Sequence, residues 1–249
     1  MTTISSNSAV NISVTHNTNE LSSQKPKCYS QSAAKMLESN LPAPDKTTSE
    51  IDNLLLGERE YVQDFHCITF IGYSGLGYKD PEGLRGTLKS EMERCLLDNP
   101  DKQIVAVCGG TSAGIGVIYE LVAEDASLKE KIKCICIVSE CASENDLVDG
   151  DVDIVRVPDP TNSWQTKKTD GDHEYQYMLY PAHKYGGEVM AFGGGSIGYE
   201  EVKEAKKTGI ETKIFPFEPD SARLQEKLNA GKQYSDLCPL LHHEFGVNG

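Results

Sequence analysis

Residues 104–116 read IVAVCGGTSAGIG: a β-branched run closing at Cys108, a turn crowded with small residues, then a helical stretch through Leu121. The same succession occurs twice more. CITFIGY (67–73) ends in Ser74-Gly75-Leu76-Gly77. Asp80-Pro81 then supplies an N-cap and a first-turn proline for a helix carrying Leu84, Leu88, Met92 and Leu96 at helical spacing. EVMAF (188–192) runs into GGGSIG (193–198) and a polar-faced helix over 199–207. Further strand-like runs lie at 132–138, 152–157 and 212–217, with a last helix over 221–228 and a helical stretch over 173–185 broken by Pro181. Strands that are nearly continuous apolar runs, alternating with helices, predict an α/β fold of the Rossmann-like, doubly wound kind. Its sheet is mostly parallel, with helices on both faces.

The chain has 249 residues, of which 38 are acidic and 24 basic, for a formal charge of −14. That balance argues against general nucleic-acid binding, which needs Lys and Arg to displace phosphate counterions, and against adsorption to an anionic membrane. No stretch approaches the ~20 apolar residues of a spanning helix. The first 50 residues differ from the rest: Ser, Thr and Asn make up 21 of them. Such a segment buries too little apolar surface to offset its ordering entropy, so residues 1–50 read as a disordered polar tail and 51–249 as the Rossmann-like domain. The N-terminus lacks the basic-then-apolar layout of a cleaved secretory signal. The expected location is cytoplasmic; the alternative is a bacterial effector exported without a cleaved signal, since polar leaders of this kind occur on such proteins. Cys67, Cys108, Cys134 and Cys136 fall inside strand-like runs, and Cys28, Cys95, Cys141 and Cys238 are scattered without zinc-like spacing. They read as free thiols in a reducing compartment.

Chemistry is expected where the glycine turns gather. In open parallel sheets ligands sit beyond the carboxyl ends of the strands. A glycine turn there lets backbone N–H groups approach a phosphate, and the following helix adds its dipole. The candidate ligand-binding residues are Ser74 and Gly75; Gly109, Gly110, Thr111, Ser112 and Gly114; and Gly193, Gly194, Gly195, Ser196 and Gly198. GGTSAGIG is not a P-loop, because no Gly-Lys-Ser/Thr follows, and it departs from GxGxxG.

With those residues in view, the chain resembles the "lonely guy" cytokinin-activating phosphoribohydrolases and their wider superfamily. Its other members include molybdenum-cofactor carriers, the DNA-processing protein A domain and nucleotide-signal sensors. CGGTSAGIG is similar to that family's GGxxG phosphate loop, and AFGGGSIGYEE to its PGGxGTxxE motif; the likeness covers roughly residues 66–218. It implies that Gly109, Gly110, Thr111 and Gly114 hold a phosphate and that Gly194, Gly195, Ser196 and Gly198 hold the ligand near its ribose. Glu201, at the motif's terminal glutamate, would help cleave an N-glycosidic bond as an ionised group beside the sugar. Its structural alternative is a carboxylate complementing the helix dipole, while Glu200 faces solvent. The family's Arg-Lys pair is missing: the stretch reads Met178-Leu179-Tyr180-Pro181-Ala182-His183-Lys184, so His183 or Lys184 is the candidate cation. Ile197 and Gly198 stand at the motif's Gly-Thr.

Residues 158–173 read as a long polar loop, of the length that forms lids, and carry Trp164, which stacks on a base or anchors the loop. The adjacent His242-His243 pair points different ways, and Asp146, Asp149, Asp151 and Asp153 lack the companions of a calcium loop, so no metal site and no cofactor is expected. The expected partner is a nucleotide-like small molecule, with a homodimer left open. The leading reading is a sensor or carrier that binds a nucleotide or phosphoribosyl compound across three glycine loops. The alternatives are an N-glycosidic-bond hydrolase and an exported effector acting on a host nucleotide. Ser74 or Ser196 would contact the sugar or phosphate.

Overall fold

The apolar runs form strands, and the central ones bury both of their faces. The computed structural model describes residues 41, 43–57, 65–150, 152–170 and 173–242. Its central sheet contains β1 (Phe65–Gly72), β2 (Gln103–Cys108), β3 (Ile132–Ser139), β4 (Asp153–Val157), β7 (Gly187–Phe192) and β8 (Glu211–Phe215). The spatial order is β4-β3-β2-β1-β7-β8, with every pairing parallel. Successive side chains alternate between the faces. Ile68, Phe70, Ile104, Ala106 and Met190 enter one core, while Cys67, Ile71, Val105, Val107 and Val189 enter the other.

The first core is covered by α2 (Pro81–Asp98), α3 (Val117–Glu124) and α4 (Ala126–Lys131), through residues such as Leu84, Leu88, Ile118 and Leu128. The second is covered by α1 (Lys46–Leu56), α5 (Tyr180–Tyr185) and α6 (Ser196–Lys207), through Ile51, Ala182, Val202 and Ala205. The predicted doubly wound α/β architecture is therefore the observed one. Helices α7 (Ser221–Asn229), α8 (Tyr234–Leu237) and α9 (Pro239–His242) follow the last strand. Among the described residues no helix is long and apolar enough to cross a membrane.

Three expectations need correction or a boundary. The domain begins before residue 51: Asp45 caps α1, its Oδ1 accepting from the Thr48 N–H while Thr48 Oγ1 accepts from the Asp45 N–H. Thr47 and Thr48 are already buried. The rest of the predicted tail, residues 1–40, lies outside the described residues, as do Cys28, Asp151 and His243. The loop expected over 158–173 holds β5 (Lys167–Asp170), which pairs antiparallel with β6 (His173–Gln176). Pro181 opens α5 rather than breaking a longer helix, because its missing N–H costs nothing in a first turn.

The strand order decides where a ligand fits. From β1 the chain steps outward through β2, β3 and β4, then returns to lay β7 on the other edge of β1. The carboxyl ends of β1 and β7 thus flank the point where the winding reverses, and a crevice opens there.

Candidate functional site

The three glycine turns follow β1, β7 and β2, which are neighbours at that reversal. Their conformations are held by one another. The Tyr73 N–H donates to Tyr78 Oη (3.0 Å), and the Tyr78 hydroxyl donates to the Phe192 carbonyl (2.9 Å), clasping the ends of β1 and β7. The Ile115 N–H donates to the Tyr73 carbonyl (2.8 Å), joining the turn after β2 to the turn after β1. That approach requires Gly114, which has φ +66° and whose missing Cβ would overlap the Tyr73 carbonyl. At Gly110 a Cβ would overlap the side chains of Val138 and Cys136, so the turn can lie flat on β3 only as glycine.

Together the turns enclose a cavity of about 380 Å³. Ser74, Gly75, Gly109, Gly110, Thr111, Gly195, Ser196 and Gly198 all border it. Its inner wall is apolar, from Ile71, Ile115, Ile137, Leu147 and Met178. Helix α6 points its N-terminus at the space. Its N-cap is Gly195, which offers no side-chain cap, and the first intrahelical bond runs from the Tyr199 N–H to the Gly195 carbonyl. The N–H groups of Ser196, Ile197 and Gly198 precede that bond and carry the positive end of the helix dipole.

Not every candidate arrives. Ser112 and Gly114 border a separate groove of about 360 Å³ beside the cavity. Gly193 and Gly194 shape the turn without bordering the cavity; both have positive φ and pack on Tyr73, Phe217 and Leu240. His183 and Lys184 also lie outside the cavity lining. His183 is buried and stacked on Tyr175, its Nδ1 3.3 Å from the Tyr175 hydroxyl. Lys184 donates to Asp52 Oδ2 (2.6 Å) and to Tyr180 Oη (2.9 Å). Asp52 also accepts from the hydroxyls of Tyr180 and Tyr185, so this cation staples α5 to α1.

Glu201 does border the cavity, but in a different ionic state from the one expected. It sits in the second turn of α6, 6% exposed, with no hydrogen bond or ion pair among the described residues. Desolvation by burial pushes its carboxyl up to about 8. At neutral pH it is therefore predominantly protonated, a hydrogen-bond donor rather than an ionised group. Glu200, one residue earlier, is exposed and paired with Lys203 (3.2 Å), as expected.

Trp164 reaches the same cavity, 44% exposed and with φ +61°, an uncommon conformation for a bulky residue. The buried Asp159 carboxylate holds it there. It accepts from the N–H groups of Ser163 (3.0 Å) and Trp164 (2.7 Å) and from the hydroxyls of Ser139, Thr161 and Ser163. The Ser163 backbone bond leads the set that holds this carboxyl well below the usual carboxylate range. Lys227 of α7 and Asp236 of α8 also border the cavity, and no sequence motif marks either.

At the opposite end of the sheet, His66 Nε2, Cys95 Sγ and Glu188 Oε1 lie within 4.8 Å of one another. Arg94 (2.8 Å) and Lys213 (2.7 Å) already pair with Glu188. Burial alone would raise that carboxyl, but the bonds from His66, Lys213 and Arg94 outweigh it and hold it well below its usual range. The cluster is an electrically satisfied network rather than a set of vacant ligands. No protein-family model and no curated protein matches the chain.

Proposed function

We propose that the protein binds a nucleotide or phosphoribosyl compound in the cavity at the sheet reversal, as a divergent relative of the lonely-guy superfamily. The observation that carries this reading is the convergence of three glycine turns, from the adjacent strands β2, β1 and β7, on one apolar-walled space. A phosphate fits the free N–H groups at the start of α6 and the turn at Gly109–Thr111. Backbone amides suit a molecule of net charge −14, because they hold an anion locally without a basic surface. The planar base fits the apolar wall, with the exposed face of Trp164 available for stacking.

The test is a titration of the whole chain with nucleoside monophosphates, followed by thermal unfolding. Saturable stabilisation by at least one of them is expected; no shift with any, at millimolar concentration, refutes the reading.

A second reading, hydrolysis of the N-glycosidic bond, is favoured by one observation: the buried, neutral and unpartnered Glu201 in the cavity. As a general acid it would protonate the departing base as the bond breaks. Water would add to the anomeric carbon, and its released proton would restore the Glu201 carboxyl. The missing arginine weighs towards a sensor or carrier. Free base appearing with wild type but not with Glu201→Gln, while both bind nucleotide, supports the hydrolase; saturable binding without turnover supports the sensor or carrier.

A further inference from the structure

The cavity and its neighbouring groove share two walls. Along the turn after β1, Gly75 and Leu76 border the cavity, and Gly77 and Tyr78 border the groove. Along the turn after β2, Thr111 borders the cavity, and Ser112, Ala113 and Gly114 border the groove. Arg223 of α7 stands over that shared wall. It lines the groove, and its Nη1 lies 3.4 Å from the Gly75 carbonyl on the cavity side. Lys227, one helical turn later, borders the cavity. Neither cation pairs with a carboxylate among the described residues.

The groove's own acids are already engaged. Asp220 caps α7, accepting from the N–H groups of Ala222 and Arg223, and Glu120 pairs with Arg85 (3.0 Å). Asp236 shares the cavity rim with Lys227, and Asp220 the groove with Arg223, with no ion pair to either cation among the described residues. Two unmatched cations over one wall, in a chain where acids outnumber bases 38 to 24, mark a path for negative charge.

We propose that cavity and groove take a single ligand, a nucleotide with two or more phosphates, whose phosphate chain crosses the turn after β1 beneath Arg223 and Lys227. This rests on the nucleotide reading of the cavity and deepens it. The base occupies the apolar cavity, the first phosphate takes the α6 amides, and the remaining phosphates run to the guanidinium, whose planar fork matches phosphate geometry. The role expected of a cation at His183 or Lys184 is thereby moved to a helix that follows the last strand.

The test is equilibrium binding of adenosine and guanosine mono-, di- and triphosphates to the full chain, without added metal, and to R223Q and K227Q. Wild type should bind the diphosphate of its preferred base about tenfold or more tightly than the monophosphate, the increment of one charge-assisted hydrogen bond. R223Q should bring that ratio close to one, and K227Q should lower it part of the way. A wild-type ratio near one, or variants that weaken mono- and diphosphate equally, overturns the proposal while leaving the cavity as a monophosphate site. Binding of none of the six nucleotides sinks the cavity reading and this proposal together.

Discussion

Glu201→Gln should change the pH dependence of stability more than its absolute value. The folded carboxyl titrates at about 8 because burial desolvates its ionised form, whereas an exposed glutamate titrates near 4.5. Between those values the folded chain binds one proton more than the unfolded chain, so stability is highest at low pH and falls as pH climbs from about 4.5 to about 8. Integrated from pH 5 to pH 8, wild type should lose about 3 to 4 kcal/mol that a non-titrating glutamine keeps. That corresponds to about 10 °C in melting temperature for a chain of this size. Burying the glutamine amide adds an offset of its own, but that offset does not vary with pH and cancels in the comparison. The assay is urea or thermal unfolding of both proteins at pH 5, 6, 7 and 8. Curves that run parallel across the range would show that Glu201 is ionised or hydrated in the folded state, and the neutral-acid argument would fail.

The loop that carries Asp159 and Trp164, and the glycine turns, supply the other tests. Trp164→Ala should weaken nucleotide binding by about 1 to 3 kcal/mol, the worth of one stacked base. Its effect on melting should be small because the ring is 44% exposed in the free protein; a large melting shift with unaltered affinity would make it a packing residue. Asp159 contributes stability that is present above the ordinary carboxylate range and lost as pH falls through its depressed value. Acidification should therefore release Trp164 in an emission change that Asp159→Asn abolishes; an acid transition retained in the variant would contradict this. Gly110→Ala should cost about 1 to 3 kcal/mol through overlap with Val138 and Cys136. Gly109→Ala meets nothing within 4 Å and should stay within about 0.5 kcal/mol of wild type, which denaturant unfolding of the pair would check.

The fold was legible because its determinants are local. An apolar run buried on both faces, a small-residue turn and a helix with spaced leucines announce themselves within some twenty residues, and Asp80-Pro81 marks the start of α2. Adjacency in the sheet then brought the predicted turns to one place, so Ser74, Gly109, Thr111 and Ser196 meet around one cavity. Local patterns misled where a second segment competes for the residue. His183 and Lys184 sit at the right distance before the third turn, yet Tyr175 on the neighbouring β6 and Asp52, far away in sequence, hold them elsewhere. The strand β5 was hidden because its pairing with β6 comes from a partner rather than from apolar alternation in Lys-Lys-Thr-Asp.

Charge state and reach belong to the assembled molecule. Nothing in Tyr-Glu-Glu-Val says that Glu201 is neutral and Glu200 exposed; only the packing of α6 against the sheet removes water from one carboxyl and leaves the other in solvent. Trp164 comes to the cavity because Asp159 gathers the donors of its loop around it, and Arg223 and Lys227 come because α7 closes over the turn after β1. The amino-acid order by itself set the alternation of strands and helices and the glycine turns, through steric and hydrophobic rules that act between near neighbours. Tertiary structure decided which side chains face the cavity and which of them carry charge, because solvation depends on everything packed around a group, however distant in the chain.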